Sequence, residues 1–364
     1  MPRINSAARI RTAIVGFGVS GGVFHGPLLG ANPSYSVDTI VTSNPARVAA
    51  AQKRFPDALI VPDYASLLGR LDDGGLELDL VVLGTPPALH RDQAIAAVDR
   101  GLHVVVDKPF APSVADAQAM IDAAARAGVV LTVFQNRRWD GDFLTVVDLI
   151  RSGRLGEVRT FESRFEWWRP EGFGNWRDAA GADDGGGLLT DLGSHLIDQA
   201  IQLFGPVEEA RADLRRHSGG LRGGDEDSFA ELRHASGVLT RLWMNGLAPA
   251  LGPRFHVLGS RAGFTSWGLD GQEGALAAGA DPAKPGYGAV PSREPARLSD
   301  GSSAVDIGLL PGDYPAFYRL LADALRRGGP VPVDAAEAIE TLRLIERLHA
   351  TTPIRSSQKE TANA

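Results

Sequence analysis

Asp191 and His195 stand four residues apart in the segment Gly187–Phe204, whose apolar pattern predicts one continuous helix. That spacing predicts a carboxylate and an imidazole on one helix face. An imidazole titrates near pH 6.5 and so suits general-base work at neutral pH. A neighbouring carboxylate fixes its tautomer and favours its protonated form. Asp198 and Gln202 extend the same stripe, while Leu188, Leu189, Leu192, Leu196, Ile197, Ala200 and Ile201 surround it. So apolar a helix is expected to be buried, and a buried charge needs a partner or a wet cavity. The stripe is therefore predicted to line a cleft. Metal binding is the competing reading of the pair, but no third ligand is indicated, and no metal is expected.

A second chemical signal lies near the start. Gly16, Phe17, Gly18, Val19, Ser20 and Gly21 fit G-x-G-x-x-G directly after the apolar run Ile10–Val15. Glycine permits the tight turn, close approach of backbone to a pyrophosphate, and close packing of the next helix on the strand. The N–H groups at that helix start attract phosphate. The following β-α units supply the context that makes this short pattern informative. After the next strand come Ser43, Asn44 and Arg47, with no Asp or Glu to hold the ribose hydroxyls. Ser43 and Asn44 can hydrogen-bond the sugar, and Arg47 can pair with a 2′-phosphate, so NADP is preferred over NAD. Thr85 and Pro86 follow the strand ending at Leu83, with His90 just beyond, and Lys108 follows the strand ending at Val106. Ligands of doubly wound sheets lie at these carboxyl ends, so Thr85, Pro86, His90 and Lys108 complete the candidate cofactor contacts.

The elements that must position these groups are read from periodicity. Apolar runs at Ile10–Val15, Ser36–Val41, Leu78–Leu83, His103–Val106 and Val129–Val133 alternate with helix-like segments Pro45–Phe55, Tyr64–Leu71, Ala88–Arg100 and Ser113–Ala127. This is the pattern of an α/β domain, a doubly wound parallel (Rossmann) sheet, over residues 1–134. Residues 135–364 read as an α+β domain for substrate and oligomerisation, with a large, mostly antiparallel sheet. Its candidate strands are Glu157–Trp168, Val207–Leu214, Asp227–Arg233, Val238–Met244, Arg254–Leu258 and Phe264–Trp267, and its candidate helices are Asp140–Ser152, Tyr314–Arg327 and Asp334–His349. Residues 270–311, rich in Gly, Ala, Pro and Ser, read as a long irregular segment, and 356–364 as a frayed tail.

Composition narrows the function classes. The 364 residues are 44% hydrophobic and 22% charged, as expected for globular domains, and the length suits two of them. A net charge of −7 lacks the global basic footprint of a nucleic-acid binder. With no cysteine, disulfides, thiol catalysis and iron–sulfur clusters are excluded. The first ten residues hold no apolar stretch of signal-peptide length, and Ile10–Gly30 is broken by six glycines and a proline. The expected protein is soluble and cytoplasmic, with no membrane or nucleic-acid partner.

Together these motifs resemble the Gfo/Idh/MocA family of NAD(P)-dependent oxidoreductases over nearly the whole chain. Asp107-Lys108-Pro109 is similar to the family's Glu-Lys-Pro signature, with Asp for Glu. Gly187 through His195 is similar to G-x-x-x-D-x-G-x-H. Phe134–Leu144, Asp191–Gln199, Gly252–Phe255 and Gly268–Glu273 further resemble the NADP-dependent scyllo-inositol 2-dehydrogenase subgroup. The resemblance implies hydride transfer between nicotinamide and a secondary alcohol of a cyclic polyol or sugar. Lys108, Asp191 and His195 would then be catalytic and contact substrate: Lys108 polarises the reacting oxygen, His195 takes the hydroxyl proton, and Asp191 steadies the imidazole. Glu166 and Trp168, on a strand that faces substrate in the family, join the substrate-binding set. Trp176 and Arg177 could close over the pocket or pack at a subunit contact, and Asn136 through Trp139 read as structural. A homo-oligomer, dimer or tetramer, is implied. Other readings are a sugar dehydrogenase or anhydro-sugar ketone reductase, an NAD-dependent glycosidase, and a non-catalytic cofactor-sensing regulator, which would be free to lose the trio.

Overall fold

In the computed structural model the described residues are 4, 8–172, 174, 179–181, 186–217, 223–289 and 295–356. The chain divides into two compact units. The first comprises Met1–Trp139, Gly271–Ala289 and Gly312–Ile339; the second comprises Asp140–Asp270, Val290–Pro311 and Glu340–Ala364.

The first unit opens with β1 (Ile10–Val15), a π-helical turn (Val19–His25) and α1 (Gly26–Gly30). It continues with β2 (Tyr35–Val41), α2 (Pro45–Arg54), β3 (Leu59–Val61), α3 (Tyr64–Asp72), β4 (Leu80–Leu83), α4 (His90–Val98), β5 (His103–Asp107), α5 (Val114–Ala127) and β6 (Leu131–Phe134). All strand pairs are parallel, in the order β3-β2-β1-β4-β5-β6. The central strands are apolar because both faces are covered: every residue of β4 is buried. Local chemistry sets the helix ends. Asn44 accepts the Arg47 N–H at the start of α2, with Pro45 in the first helical position. Ser113 starts α5 and Gly128, at φ +67°, ends it. The strand order reverses between β1 and β4, and such a crevice is where doubly wound sheets take ligands.

The second unit begins with α6 (Gly141–Arg151) and β7 (Val158–Glu166). The predicted helix Gly187–Phe204 is two helices, α7 (Leu188–Asp191) and α8 (Gly193–Phe204), separated at Leu192. Gly193, which opens α8, is close-packed: a Cβ there would crowd Leu189 Cδ1 at 3.1 Å, and Met244 Cε lies next at 3.7 Å. Then follow β8 (Val207–Arg216), β9 (Asp227–His234), β10 (Leu239–Asn245), β11 (Phe255–Gly259) and β12 (Gly263–Ser266).

The segment expected to be irregular, 270–311, carries short elements: α9 (Gln272–Ala277), β13 (Ala296–Ser299) and β14 (Ala304–Ile307). The two strands pair as an antiparallel hairpin. Its outer strand is exposed, so no apolar alternation marked it. The chain closes with α10 (Pro315–Arg327), α11 (Ala335–Thr351) and β15 (Ile354–Ser356). The second unit's sheet has nine strands in the order β14-β13-β12-β11-β7-β10-β9-β8-β15. Only β7–β10 and β8–β15 pair in parallel; the rest are antiparallel. One face of β7, with Phe161, Ser163 and Phe165, is buried in a core shared with Leu196, Ile197 and Met244. Ser356 ends β15, and the rest of the expected tail lies outside the described residues. No described helix is long and apolar enough to cross a membrane.

Candidate active site

The glycine turn joins β1 to the π-helical turn. Gly16 has φ +89°, and a Cβ there would crowd the Gly84 carbonyl oxygen at 2.8 Å. A Cβ on Gly21 would collide with the Gly16 carbonyl oxygen and press on Ile14 Cγ2 at 3.0 Å. The turn therefore requires glycine at both places. Beyond it, the Gly26 N–H closes on the Gly21 carbonyl, five residues back, rather than four as in an α-helix. Val19 is largely exposed, whereas Phe17 is buried and its ring packs edge-on to Phe55 at 6.5 Å. Phe17 thus offers this turn its backbone while its side chain joins the core.

Ser43, Asn44 and Arg47 are all exposed just after β2. Asn44 Oδ1 is engaged by the Arg47 N–H at 3.2 Å. The Arg47 guanidinium reaches back over the glycine turn: its Cζ lies 3.6 Å from where a Gly18 Cβ would be. Thr85 Oγ1 bonds Gln93 Oε1 at 2.6 Å, a partner not foreseen, and Pro86 is exposed. His90 is buried and contacts two carbonyls, Nε2 to Thr85 at 2.9 Å and Nδ1 to Phe110 at 3.1 Å. Both ring nitrogens face protein, so His90 braces the loop after β4 against the loop carrying Lys108. Burial holds its proton affinity below the usual histidine value, opposed by those carbonyls and by Asp107. Lys108 is half-buried directly after β5, and its N–H donates to Asp107 Oδ1 at 2.8 Å.

In the second unit Asp191 ends α7, half-buried, while His195 lies in the first turn of α8 with 4% exposure. The His195 ring stands edge-on to Phe165, centroids 6.2 Å apart. The predicted stripe divides here: Asp198 is buried but Gln202 is exposed. Asp225, not singled out by sequence, organises the helix start. Its Oδ2 accepts the Leu189 N–H at 2.8 Å and the Ser228 hydroxyl. Glu166 projects from the β7 face opposite Phe165, so the sheet separates it from His195. It accepts the Gly252 N–H at 2.6 Å and lies 3.9 Å from Arg164 Nε. Trp168 lies beyond β7 with 57% of its surface exposed, while Trp167 stacks on Phe165. Trp176 and Arg177 lie outside the described residues.

The description "Oxidoreductase family, NAD-binding Rossmann fold" matches residues 10–135, and "GFO/IDH/MocA C-terminal domain" matches residues 143–265. The scyllo-inositol 2-dehydrogenase (NADP+) of Bacillus subtilis is 36% identical over 343 residues, covering 93% of this chain and 92% of that one. The chain belongs to the Gfo/Idh/MocA family. An uncharacterized oxidoreductase of Escherichia coli is as similar, at 37% over 341 residues, with 93% and 94% covered. Family likeness therefore does not single out one substrate. An oxidoreductase from Bacillus cereus has the same fold, with TM-score 0.82 and 28% identity over 94% of this chain and 96% of that one. As a Gfo/Idh/MocA protein with this nucleotide-binding domain, the chain is an NAD(P)-dependent oxidoreductase acting on CH–OH groups.

The residues present fit such a dinucleotide. The Gly16 and Gly21 positions leave no room for side chains, which keeps the backbone of the turn open to a pyrophosphate. A cation already lies against Gly18, and the end of β2 carries no carboxylate to oppose an additional phosphate.

Proposed function

We propose that this enzyme oxidises a secondary ring alcohol of a cyclic polyol with NADP+, or reduces the corresponding ketone. The observation that carries the cofactor preference is the Arg47 guanidinium beside Gly18, next to a strand end without Asp or Glu. The polyol class is supported by the Bacillus subtilis relative named for scyllo-inositol and NADP+. A sugar substrate is the second reading, favoured by a D-apiose dehydrogenase that is 31% identical over 53% of this chain.

When bound, the nicotinamide supplies the hydride acceptor or donor. Gly16, Gly18 and Gly21 hold the pyrophosphate by backbone, Ser43 the ribose, and Arg47 the 2′-phosphate. Lys108 donates a hydrogen bond to the reacting oxygen and stabilises negative charge developing there. His195 takes the hydroxyl proton in oxidation and returns it in reduction, and Asp191 orients that imidazole.

The test follows reduced-cofactor absorbance with NADP+ and a panel of inositols and monosaccharides. Wild-type protein gives a signal with at least one alcohol, and Lys108→Ala and His195→Ala each lower it by roughly 10²–10⁴-fold. Full activity in both variants refutes the assigned roles.

The face of β7 and β10 opposite α8 carries Glu162, Arg164, Arg241 and Trp243, with the Arg164 guanidinium 3.8 Å above the Trp243 ring. We assign this face to self-association. Light scattering is expected to give a dimer or tetramer, and Trp243→Glu to lower that mass; a monomeric wild type would remove the assignment.

A further inference from the structure

His25 lies at the end of the π-helical turn with no exposed surface. Its ring rests 4.4 Å from the Phe134 ring, centroid to centroid. Nδ1 is 2.7 Å from the Tyr318 hydroxyl on α10. Nε2 is buried, makes no hydrogen bond among the described residues, and faces Asp107 Oδ2 at 4.0 Å. The other oxygen of Asp107 holds the Lys108 N–H. Tyr35 donates its hydroxyl to the Tyr318 carbonyl, tying that stretch of α10 to β2. Polar groups thus line up from the buried Tyr318 and His25 to the half-buried Asp107 carboxylate, 4.0 Å from Nε2, and on to the backbone of Lys108.

Only one arrangement of protons suits this line of groups. Burial pushes His25 down to about 4, with Asp107 opposing, so the ring is neutral at pH 7 and carries one N–H. Burial also raises Tyr318 well above the usual tyrosine value, so its hydroxyl keeps its proton. If Nδ1 carried the ring proton, the Nε2 lone pair would face a carboxylate and the buried tyrosine proton would lose its acceptor. If Nε2 carries it, Tyr318 donates to Nδ1 and the ring N–H points at Asp107. The second arrangement gives the buried tyrosine proton an acceptor and turns the ring N–H, across 4.0 Å, toward the carboxylate that attracts it.

We propose that His25 is a positioning residue of the active site, orienting the Asp107 carboxylate through its Nε2–H and so fixing the turn that presents Lys108. The proposal rests on the assignment of Lys108 to the reacting oxygen, and it adds the group that holds the turn. A small loss of orientation at a reacting group can cost up to about 10²-fold in rate.

Two measurements on the full-length protein test it. Long-range ¹H–¹⁵N spectra of histidine-labelled protein, with the His25 signals assigned from their loss in His25→Gln, read the tautomer without any substrate. The expected wild-type ring is Nε2–H, and Asp107→Asn, which presents an amide N–H to Nε2, switches it to Nδ1–H. A wild-type ring protonated at Nδ1, or no switch in Asp107→Asn, overturns the proposal. The second measurement compares His25→Gln, whose amide N–H reaches the Nε2 position, with His25→Asn, whose amide reaches only Nδ1. With the alcohol that turns over, His25→Gln keeps kcat within about 3-fold and His25→Asn loses roughly 10–100-fold. NADP+ affinity, read by fluorescence titration, stays within about 3-fold of wild type in both. Equal losses of kcat in the two variants overturn the proposal. Because the spectra need no turnover, a wrong substrate class and a wrong role for His25 give different results.

Discussion

At the scale of single residues, the informative groups are those whose environment departs from what their type alone suggests. Arg47 is an exposed cation on the first turn of α2, an ordinary position until its guanidinium is seen against Gly18. Arg47→Ala is expected to weaken NADP+ binding by roughly 10-fold or more, since a charge-assisted contact to phosphate is worth about 1.5–3 kcal/mol. NAD+ binding should change far less. Titration of the two dinucleotides by protein fluorescence checks this, and equal losses for both would discard the 2′-phosphate role. Phe17 and His90 show the opposite case. Both lie in segments expected to touch cofactor, yet the Phe17 ring is committed to Phe55 and both His90 nitrogens face protein carbonyls.

At the scale of elements, α6, β7, α8 and β11 are tied together by one buried cation. Arg254, next to β11, is 2% exposed. Its Nε lies 3.2 Å from Asp142 Oδ2 on α6, and its other nitrogens reach Ser163 on β7 and Gln199 on α8 at 3.1 Å. Its guanidinium also stacks over Phe165 and Phe255, at 4.4 and 4.1 Å. Phe165 is the ring that meets His195, so this network braces the wall beside the candidate base. Removing one partner leaves the other charge buried, which typically costs about 3–5 kcal/mol. Arg254→Met should lower unfolding free energy by that amount in urea titration, and adding Asp142→Leu should recover part of it. A single-variant loss below about 1 kcal/mol would mean that water reaches the carboxylate.

At the scale of the whole molecule, buried imidazoles couple folding to pH. Desolvation lowers His90, His103 and His234 as it lowers His25, which is held near 4. In the unfolded chain these rings titrate near 6.5. Between about pH 6.5 and 4 the unfolded state therefore binds more protons, and stability falls as the pH falls through that window. For His25 alone the step from pH 7 to pH 5 removes about 2 kcal/mol. Urea unfolding at the two pH values should show at least this loss, and His25→Gln should reduce it by about the same amount. Identical pH dependence in variant and wild type would contradict a neutral, buried His25.

Much of this architecture was legible in advance, and what was hidden has identifiable causes. The parallel sheet declared itself because strands covered on both faces must be runs of apolar residues, as in β4 and β5. The glycine turn declared itself because its backbone tolerates no other residue at Gly16 and Gly21. β3 escaped because three residues carry no period, and β14 because an exposed edge has no apolar face to alternate. The break at Leu192 has no periodicity signal, because the apolar pattern of Leu188, Leu189, Leu192 and Leu196 runs straight through it. Strand alternation pairs Glu166 with Trp168 but does not say which face α8 covers. No motif marks His25, which follows the glycine turn, and its partner Tyr318 is 293 positions away. The layers, the phosphate turn and the kinds of groups available for chemistry follow from local periodicity and backbone freedom, which any stretch of the chain carries on its own. The tertiary structure alone decided which polar groups meet, since burial and long-range pairing arise only when distant segments pack.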